Sequence, residues 1–350
     1  MTTARKISYC QAINEAISQE MERDPCVFIY GIGVPDHKRI FGSTAGLVEK
    51  FGLQRCFDTP LSEDAMTGFG LGAAINGLRP IHVHARVDFL MLCMNQLANM
   101  ISSCRYSSGG KLSVPIVIRA IIGRGWGQTF QHSKTVHSVF AHIPGLKVVM
   151  PTTPADAKGL LISAIRDNDP VVFIEHRWLY YAVEEVDEQP YDVPLGKARV
   201  LRKGDDVTVV GVSWMNVEAL RAADILQSRH NISVEVIDPR TISPLDGEMI
   251  TKSVEKTGHC IVADNDWLHC GFSAELSATI SESCFGKLKS PVKRIGFAFA
   301  PCPSARHLED GFYPNAADII RAVEAKLGLE PADLTDEDFY SYERKFKGPF

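Results

Sequence analysis

The residues that could do chemistry gather around one acid. Glu63 follows the turn-forming stretch Asp58-Thr59-Pro60-Leu61-Ser62 and precedes a run of small residues from Ala65 to Gly77. A carboxylate there enters a tightly packed helix from an ordered turn. It can be held away from water and aimed at one atom of a bound ligand. The same acid could instead stabilise a helix N-terminus, an effect worth about 0.3–1 kcal/mol. His82 and His84 alternate on a strand-like segment and so share one face. That is a metal-pair spacing, but no third ligand is indicated. His132 stands in a Gln131-His132-Ser133 turn. An imidazole there can donate to a carboxylate or a developing oxyanion near neutral pH, although a lone histidine is usually structural.

Other motifs are excluded by spacing. There is no Walker lysine loop. Gly68, Gly70 and Gly72 lie inside the helical run and read as small residues that allow close packing. Gly123, Gly125 and Gly127 follow a strand at every second position. That is no dinucleotide fingerprint; it reads as a mobile loop beside a ligand crevice. Nine cysteines are dispersed without a C-x-x-C pair, which fits reduced thiols in a cytoplasmic protein.

The elements that must position these residues alternate. The patterns predict strands at 27–31, 79–84, 114–119, 146–150 and 170–175. Helices are expected at 9–22, 89–102 and 154–166, with the small-residue helix between the first two strands. Alternating strands and helices imply an α/β layered fold with a mainly parallel sheet, and the continuous apolar strands imply burial on both faces. The acidic stretch Val183 to Pro190 reads as a surface linker. A second α/β block follows, with strands expected at 207–212, 233–237 and 260–263 and helices at 215–227 and 273–283. The expected domains are residues 1–185 and 206–350, joined by a linker over 186–205. The charged, aromatic tail from Asp333 to Phe350 resembles neither block.

Composition sets outer limits. The chain has 350 residues, 45% hydrophobic and 23% charged, with net charge −5. It can bury a sizeable core, and nothing in it asks for nucleic acid or an anionic membrane. No apolar run approaches the ~20 residues of a membrane span.

A resemblance emerges from several segments taken together. They are Leu78-Arg79-Pro80, Tyr106 to Gly110, Gln131-His132-Ser133, Ala141 to Val149, Pro154 to Leu161, Ala164 to Val172, Pro194 to Ala198 and Ile237 to Asp246. In that order and spacing, the chain resembles the β subunit of the thiamine-diphosphate-dependent pyruvate, branched-chain and acetoin dehydrogenases, within the transketolase-like superfamily. The resemblance implies an N-terminal pyrimidine-binding domain, a C-terminal transketolase-like domain, and an active site shared with an α-type chain in an α2β2 assembly with a β–β dimer. The α chain would bind the diphosphate and Mg2+ through a Gly-Asp-Gly motif. This chain has Gly204-Asp205-Asp206 in its place.

By the same resemblance, Glu63 is the carboxylate that meets the aminopyrimidine of thiamine diphosphate, which reacts through its C2 carbon. Desolvation would raise such a carboxylate's pKa and suit proton sharing. Phe89 matches an aromatic packed on that ring, Leu61 lines its pocket, and His132 faces the substrate. Ile116, Ala164, Ile165, Asp167 and Asp169 match positions whose carbonyls hold K+. Orphan carbonyls at a helix end suit a weakly hydrated cation, and an ordinary helix C-terminus is the alternative. The implied function is 2-oxoacid decarboxylation with transfer to a lipoyl acyltransferase. A transketolase-like carboligase and a non-catalytic scaffold subunit are the competing readings.

The chain departs from the family pattern at Val83, Arg86, Lys134, His137, Asp264-Asn265-Asp266 and the 121–131 segment with Arg124, Trp126, Gln128 and Phe130. These changes bring cationic and bulky polar groups. They imply a larger, more polar or anionic substrate, with Arg86 either a bidentate carboxylate or phosphate clamp or the partner of an acid at a subunit contact.

Overall fold

The structure is a computed structural model that describes residues 5–36, 38, 40–123 and 129–339. Two compact units divide between Leu195 and Gly196, with the short stretch just before His132 grouped with the second.

The first unit contains β1 (Lys6–Ser8), β2 (Val27–Gly31), β3 (Cys56–Phe57), β4 (Arg79–His84), β5 (Val117–Ile122), β6 (Lys147–Val149), β7 (Val171–His176) and β8 (Val183–Glu185). Six of these lie in the order β6-β7-β5-β4-β2-β3, each neighbouring pair parallel. β2, β5 and β7 are buried along their whole length, as strands covered on both faces must be. β1 and β8 form a separate antiparallel pair. Ser8 starts the Tyr9–Arg23 helix with a capping box to Gln11. That helix packs on the Pro154–Arg166 helix, whose start is fixed by the Thr153 cap and Pro154.

The second unit contains β9 (Arg199–Arg202), β10 (Val207–Gly211), β11 (Val234–Asp238), β12 (Thr241–Ser243), β13 (Cys260–Trp267) and β14 (Lys293–Phe297). Its sheet runs β14-β13-β10-β11-β9, parallel except for β9 against β11. Thus residues 199–202 of the stretch read as a linker are a paired edge strand. The start of that stretch is tied down as well. Buried Lys158 Nζ donates to the carbonyls of Asp187, Glu188 and Gln189 at 2.6, 3.0 and 3.0 Å, and to Glu15 Oε1 at 2.6 Å.

Three elements differ from the sequence-based expectation. β5 begins at Val117 rather than residue 114, because Pro115 offers no N–H to a ladder. β13 continues through Asp264-Asn265-Asp266, all buried, so polar residues concealed half a strand. The expected 89–102 helix is a chain of types: α at Val87–Leu90, 3₁₀ at Met91–Cys93, π at Asn95–Ile101 and α at Ser102–Ser107. Its buried apolar residues, Val87, Leu90, Cys93, Leu97 and Ile101, still recur every three or four positions.

The small-residue helix is Glu63–Ile75, and it lies very close to the sheet. A Cβ at Gly70 would stand 2.2 Å from Tyr30 Oη and 2.8 Å from Ile116 Cδ1. A Cβ at Gly72 would meet nothing within 4 Å. Gly70→Ala is therefore expected to destabilise the chain by about 1–3 kcal/mol through overpacking. Gly72→Ala should stabilise it by roughly 0.5–1 kcal/mol, since helical glycine carries an entropic cost. Urea midpoints of the two variants check the contrast.

Candidate active site

Parallel sheets offer their ligand crevice at the C-terminal strand ends, and the first unit has a cavity there. Ile32 follows β2, while His82, Val83, His84 and Ala85 close β4. The Thr59-Pro60-Leu61 turn, Glu63, Met66 and Phe89 complete the wall. The volume is about 180 Å³. That is room for one substituted ring.

Glu63 is the first residue of its helix and is half-buried. Its carbonyl accepts a hydrogen bond from Thr67 Oγ1 at 2.8 Å. Leu61 is 82% exposed and Phe89 37% exposed, so both leave apolar surface open at the mouth. Phe89 meets the His132 ring edge-on, with centroids 5.4 Å apart. Lys134 anchors the segment after His132, since its N–H and Nζ both donate to Asp88 Oδ1, at 3.3 and 3.1 Å. Burial pushes the Asp88 carboxyl upward, and Lys134 opposes that shift. The fold therefore brings Glu63, Leu61 and Phe89 to one cavity and His132 against Phe89.

Arg86 goes elsewhere. It is buried, it donates from Nη1 to the Gly123 carbonyl at 2.6 Å, and its guanidinium lies 5.9 Å from the Phe41 ring. It is not part of the cavity wall beside Glu63. Arg124, Trp126 and Gln128, which the sequence also singles out, lie outside the described residues.

Three of the five carbonyls expected to hold K+ have partners of their own. Arg79 Nη1 donates to Ile165 O at 2.9 Å and Asp167 O at 3.0 Å, and Val171 N–H donates to Ile116 O at 3.0 Å. Lys147 Nζ binds Asp167 Oδ2 at 2.6 Å and Asp169 Oδ2 at 3.3 Å. Gly204-Asp205-Asp206 shapes the turn before β10: Gly204 N–H reaches Glu235 Oε2 at 3.3 Å, and Asp206 Oδ2 accepts from Ser233 N–H at 2.7 Å.

The sequence pattern placed His82 and His84 on one face but not in this cavity. Both are buried, with His82 Nδ1 and His84 Nε2 3.3 Å apart. The His82 ring stacks on Tyr30 at 4.4 Å and 7°. Burial drives the His82 pKa well below its usual 6.5 and that of His84 down to about 4. Among the described residues, no group of three His, Cys, Asp or Glu able to hold a metal includes them. Ile32 and Met66 were also missed. The signal that could have found these wall residues is the strand-end rule, since Ile32, His82 and His84 lie at the ends of two adjacent parallel strands.

Comparison with known proteins accounts for this arrangement. Residues 5–182 match the transketolase pyrimidine-binding domain, and residues 196–319 match the transketolase C-terminal domain. The acetoin:2,6-dichlorophenolindophenol oxidoreductase subunit beta of Cupriavidus necator is 44% identical over 93% of this chain and 98% of its own. The 2-oxoisovalerate dehydrogenase subunit beta of Bacillus subtilis is 43% identical over 88% and 95%. The pyruvate dehydrogenase E1 component subunit beta of Rickettsia bellii is 40% identical over 91% and 98%. The chain belongs to the thiamine-diphosphate-dependent dehydrogenase E1 β-subunit family. This is a family of oxidoreductase subunits, and a β-type chain implies an α-type partner. A solved split-gene transketolase, described as an inactive β4 tetramer, superposes with TM-score 0.74 over 93% of this chain and 99% of that one. At 20% identity it speaks for the fold alone. Among the described residues of this β-type chain, no helix is long and apolar enough to cross a membrane.

The buried histidines make stability depend on pH. An unfolded chain protonates His84 near pH 6.5, whereas the folded chain does so only near pH 4. His176, fully buried, is displaced to about 3 by burial and by Arg86. The unfolded state therefore binds more protons between these values, and stability falls as pH drops from about 6.5 toward 4. In His84→Phe the urea midpoint should fall less between pH 7 and pH 5 than it does in the parent.

Proposed function

We propose that this chain supplies the aminopyrimidine-binding half of a two-chain enzyme that oxidatively decarboxylates a 2-oxoacid, with Glu63 as the carboxylate that serves the ring. The observation that carries this is Glu63 on the wall of a one-ring cavity beside Phe89. The donor set fits that half of thiamine diphosphate. It offers one carboxylate to a ring nitrogen, an aromatic face to the ring, and a mouth of apolar surface.

When bound, the cofactor supplies the carbon that attacks the 2-oxo group and takes up the electron pair released with CO2. Glu63 holds a proton at the ring nitrogen it faces. Phe89 and Leu61 fix the ring plane and exclude water. His132, held against Phe89, offers an N–H to the substrate carboxylate or oxygen. The overall change releases CO2 and passes the acyl group to one sulfur of a lipoyl disulfide, while the other sulfur takes a hydrogen. That acceptor belongs to an acyltransferase partner. We assign Arg86 to holding the Gly123 carbonyl at the head of the neighbouring segment rather than to gripping substrate.

The α-type partner provides the diphosphate and Mg2+ site in an α2β2 assembly built on a β–β dimer. The polar groups of the Gly204–Asp206 turn are engaged within their own unit, which supports that division. The nine cysteines are all free, which supports a reducing compartment such as the cytoplasm.

Calorimetry tests the split site. Thiamine diphosphate with Mg2+ should bind the chain together with its α-type partner and not the chain alone; binding by the lone chain would overturn the division. Glu63→Gln should leave assembly intact and lower turnover by about 10²–10⁴-fold.

A carbonyl oxygen has two lone pairs, so K+ at Ile116, Ala164, Ile165, Asp167 and Asp169 is compatible with Arg79 at two of those positions. Exchanging K+ for Na+ should then lower the melting temperature of the parent. An unchanged value would leave Arg79, Arg105 and Lys147 as the cations that hold that helix end among the described residues.

A further inference from the structure

Glu63 is half-buried at the first turn of its helix, where backbone groups lack intrahelical partners. Something must fix that turn if the carboxylate is to point at one atom. Ser62, the preceding residue, makes no side-chain cap. The groups left open in that turn are N–H donors, and the tie the structure supplies is at a carbonyl instead. Thr67 Oγ1 donates to Glu63 O at 2.8 Å, and the same Oγ1 lies 3.4 Å from His82 Nδ1. His82 Nδ1 in turn lies 3.3 Å from His84 Nε2.

Counting protons assigns the chain. The Thr67 hydroxyl hydrogen is committed to Glu63 O, so toward His82 the oxygen can only accept. His82 Nδ1 must then carry the hydrogen. One N–H shared between two acceptors explains why both contacts are long, and it makes His84 Nε2 the second acceptor with its hydrogen on Nδ1. A neutral imidazole has one donor and one acceptor nitrogen, and this arrangement uses both rings without charge.

The surroundings keep the pair neutral. Tyr30 stacks on His82 from β2, and burial holds its hydroxyl well above its usual range. Cys93 has its thiol pushed up to about 11 by burial, a shift that its hydrogen bond with Thr67 opposes and that Glu63 and Asp64 increase. With the Thr67 hydrogen on Glu63 O, the neutral thiol is the donor in that bond. On the β5 side, His82 and His84 are paired with Ile118 and Ala120. Arg119 alternates to the other face, where it pairs with Glu175.

We propose that His84, His82 and Thr67 form a one-proton relay of positioning residues that fixes the first turn of the Glu63 helix and leaves the Glu63 carboxylate for the cofactor ring. The neutral state is essential to this role. A protonated imidazole on the same cavity wall would draw the carboxylate away from the ring. The proposal rests on the reading of Glu63 given above.

Two measurements test it. Histidine ¹⁵N NMR of the full chain reads the tautomer. His82 should be neutral with its hydrogen on Nδ1 at pH 7, and Thr67→Val, which removes the acceptor, should shift that population. Deuterium exchange at C2 of thiamine diphosphate in the assembled α/β enzyme reads Glu63. Thr67→Val should slow it by up to about a hundredfold, the scale of a misplaced reacting group, with little change in cofactor affinity by calorimetry. Thr67→Ser should restore both readouts. In a Glu63→Gln background Thr67→Val should cost nothing further, because the two act as one unit.

His82 with its hydrogen on Nε2 would overturn the relay. So would a wild-type exchange rate in Thr67→Val while Glu63→Gln is slow. A wild-type rate in Glu63→Gln would instead overturn the role of Glu63, and the purpose of the relay with it.

Discussion

The close seat of the small-residue helix on the sheet is the constraint on which the site depends. Tyr30 occupies the space that a Cβ at Gly70 would take. Its hydroxyl donates to Met66 O at 3.0 Å, one turn into the helix. Its ring lies flat on His82 and joins a cluster with Phe28, Phe57 and Phe69. One side chain therefore spaces the helix, anchors its first turns and backs the His82 ring of the cavity wall. A larger residue at position 70 would lift the helix, and Glu63, as its first residue, would move with it. The glycines that look like a degenerate nucleotide motif are there for approach, not for phosphate.

Much of this was legible in the sequence because burial writes a plain pattern. β2 and the Val171–Ile174 part of β7 are continuous apolar runs, and the Pro154–Arg166 helix carries its own start signals, a Thr cap and a proline. Glu63 stood out through the family resemblance, since an acid ahead of a small-residue run could equally have served a helix N-terminus. Legibility failed where polar residues are buried. Asp264-Asn265-Asp266 continues a strand in which each side chain lies out of water. Arg86 looked available for substrate because sequence cannot show that a guanidinium is spent on the carbonyl of Gly123. The π turn at Asn95–Ile101 left no mark, since its buried positions keep nearly the spacing of an α-helix.

The first unit also separates its charge from its chemistry. Arg119 and Glu175 are wholly buried and bidentate, at 2.5 and 2.8 Å, and Tyr180 adds a third bond to the same carboxylate at 2.5 Å. Removing either charge alone would leave the other stranded, a loss of roughly 3–5 kcal/mol. The pair therefore locks β5 to β7 by mutual need. The cavity beside β4 is built the opposite way, with neutral imidazoles, a phenol and apolar side chains around a single carboxylate. A lone carboxylate in neutral surroundings has no internal cation to satisfy it, so a ligand that presents a basic ring nitrogen is the group it selects.

That economy bears on the proposed division of the site between two chains. A diphosphate asks for cations or for the free N–H groups of a helix start. The cavity wall contributes no lysine or arginine among the described residues. The cations nearby are engaged: Arg86 by Gly123 O, Lys134 by Asp88, and Arg119 by Glu175. Freeing any of them for phosphate would break a tie that positions the wall itself. Nor can the helix that bears Glu63 serve as an anion site, because its first turn already presents a carboxylate. A ring pocket of this kind offers a diphosphate no cation, so a diphosphate carried by the ring's ligand would have to find its counter-charges outside this wall.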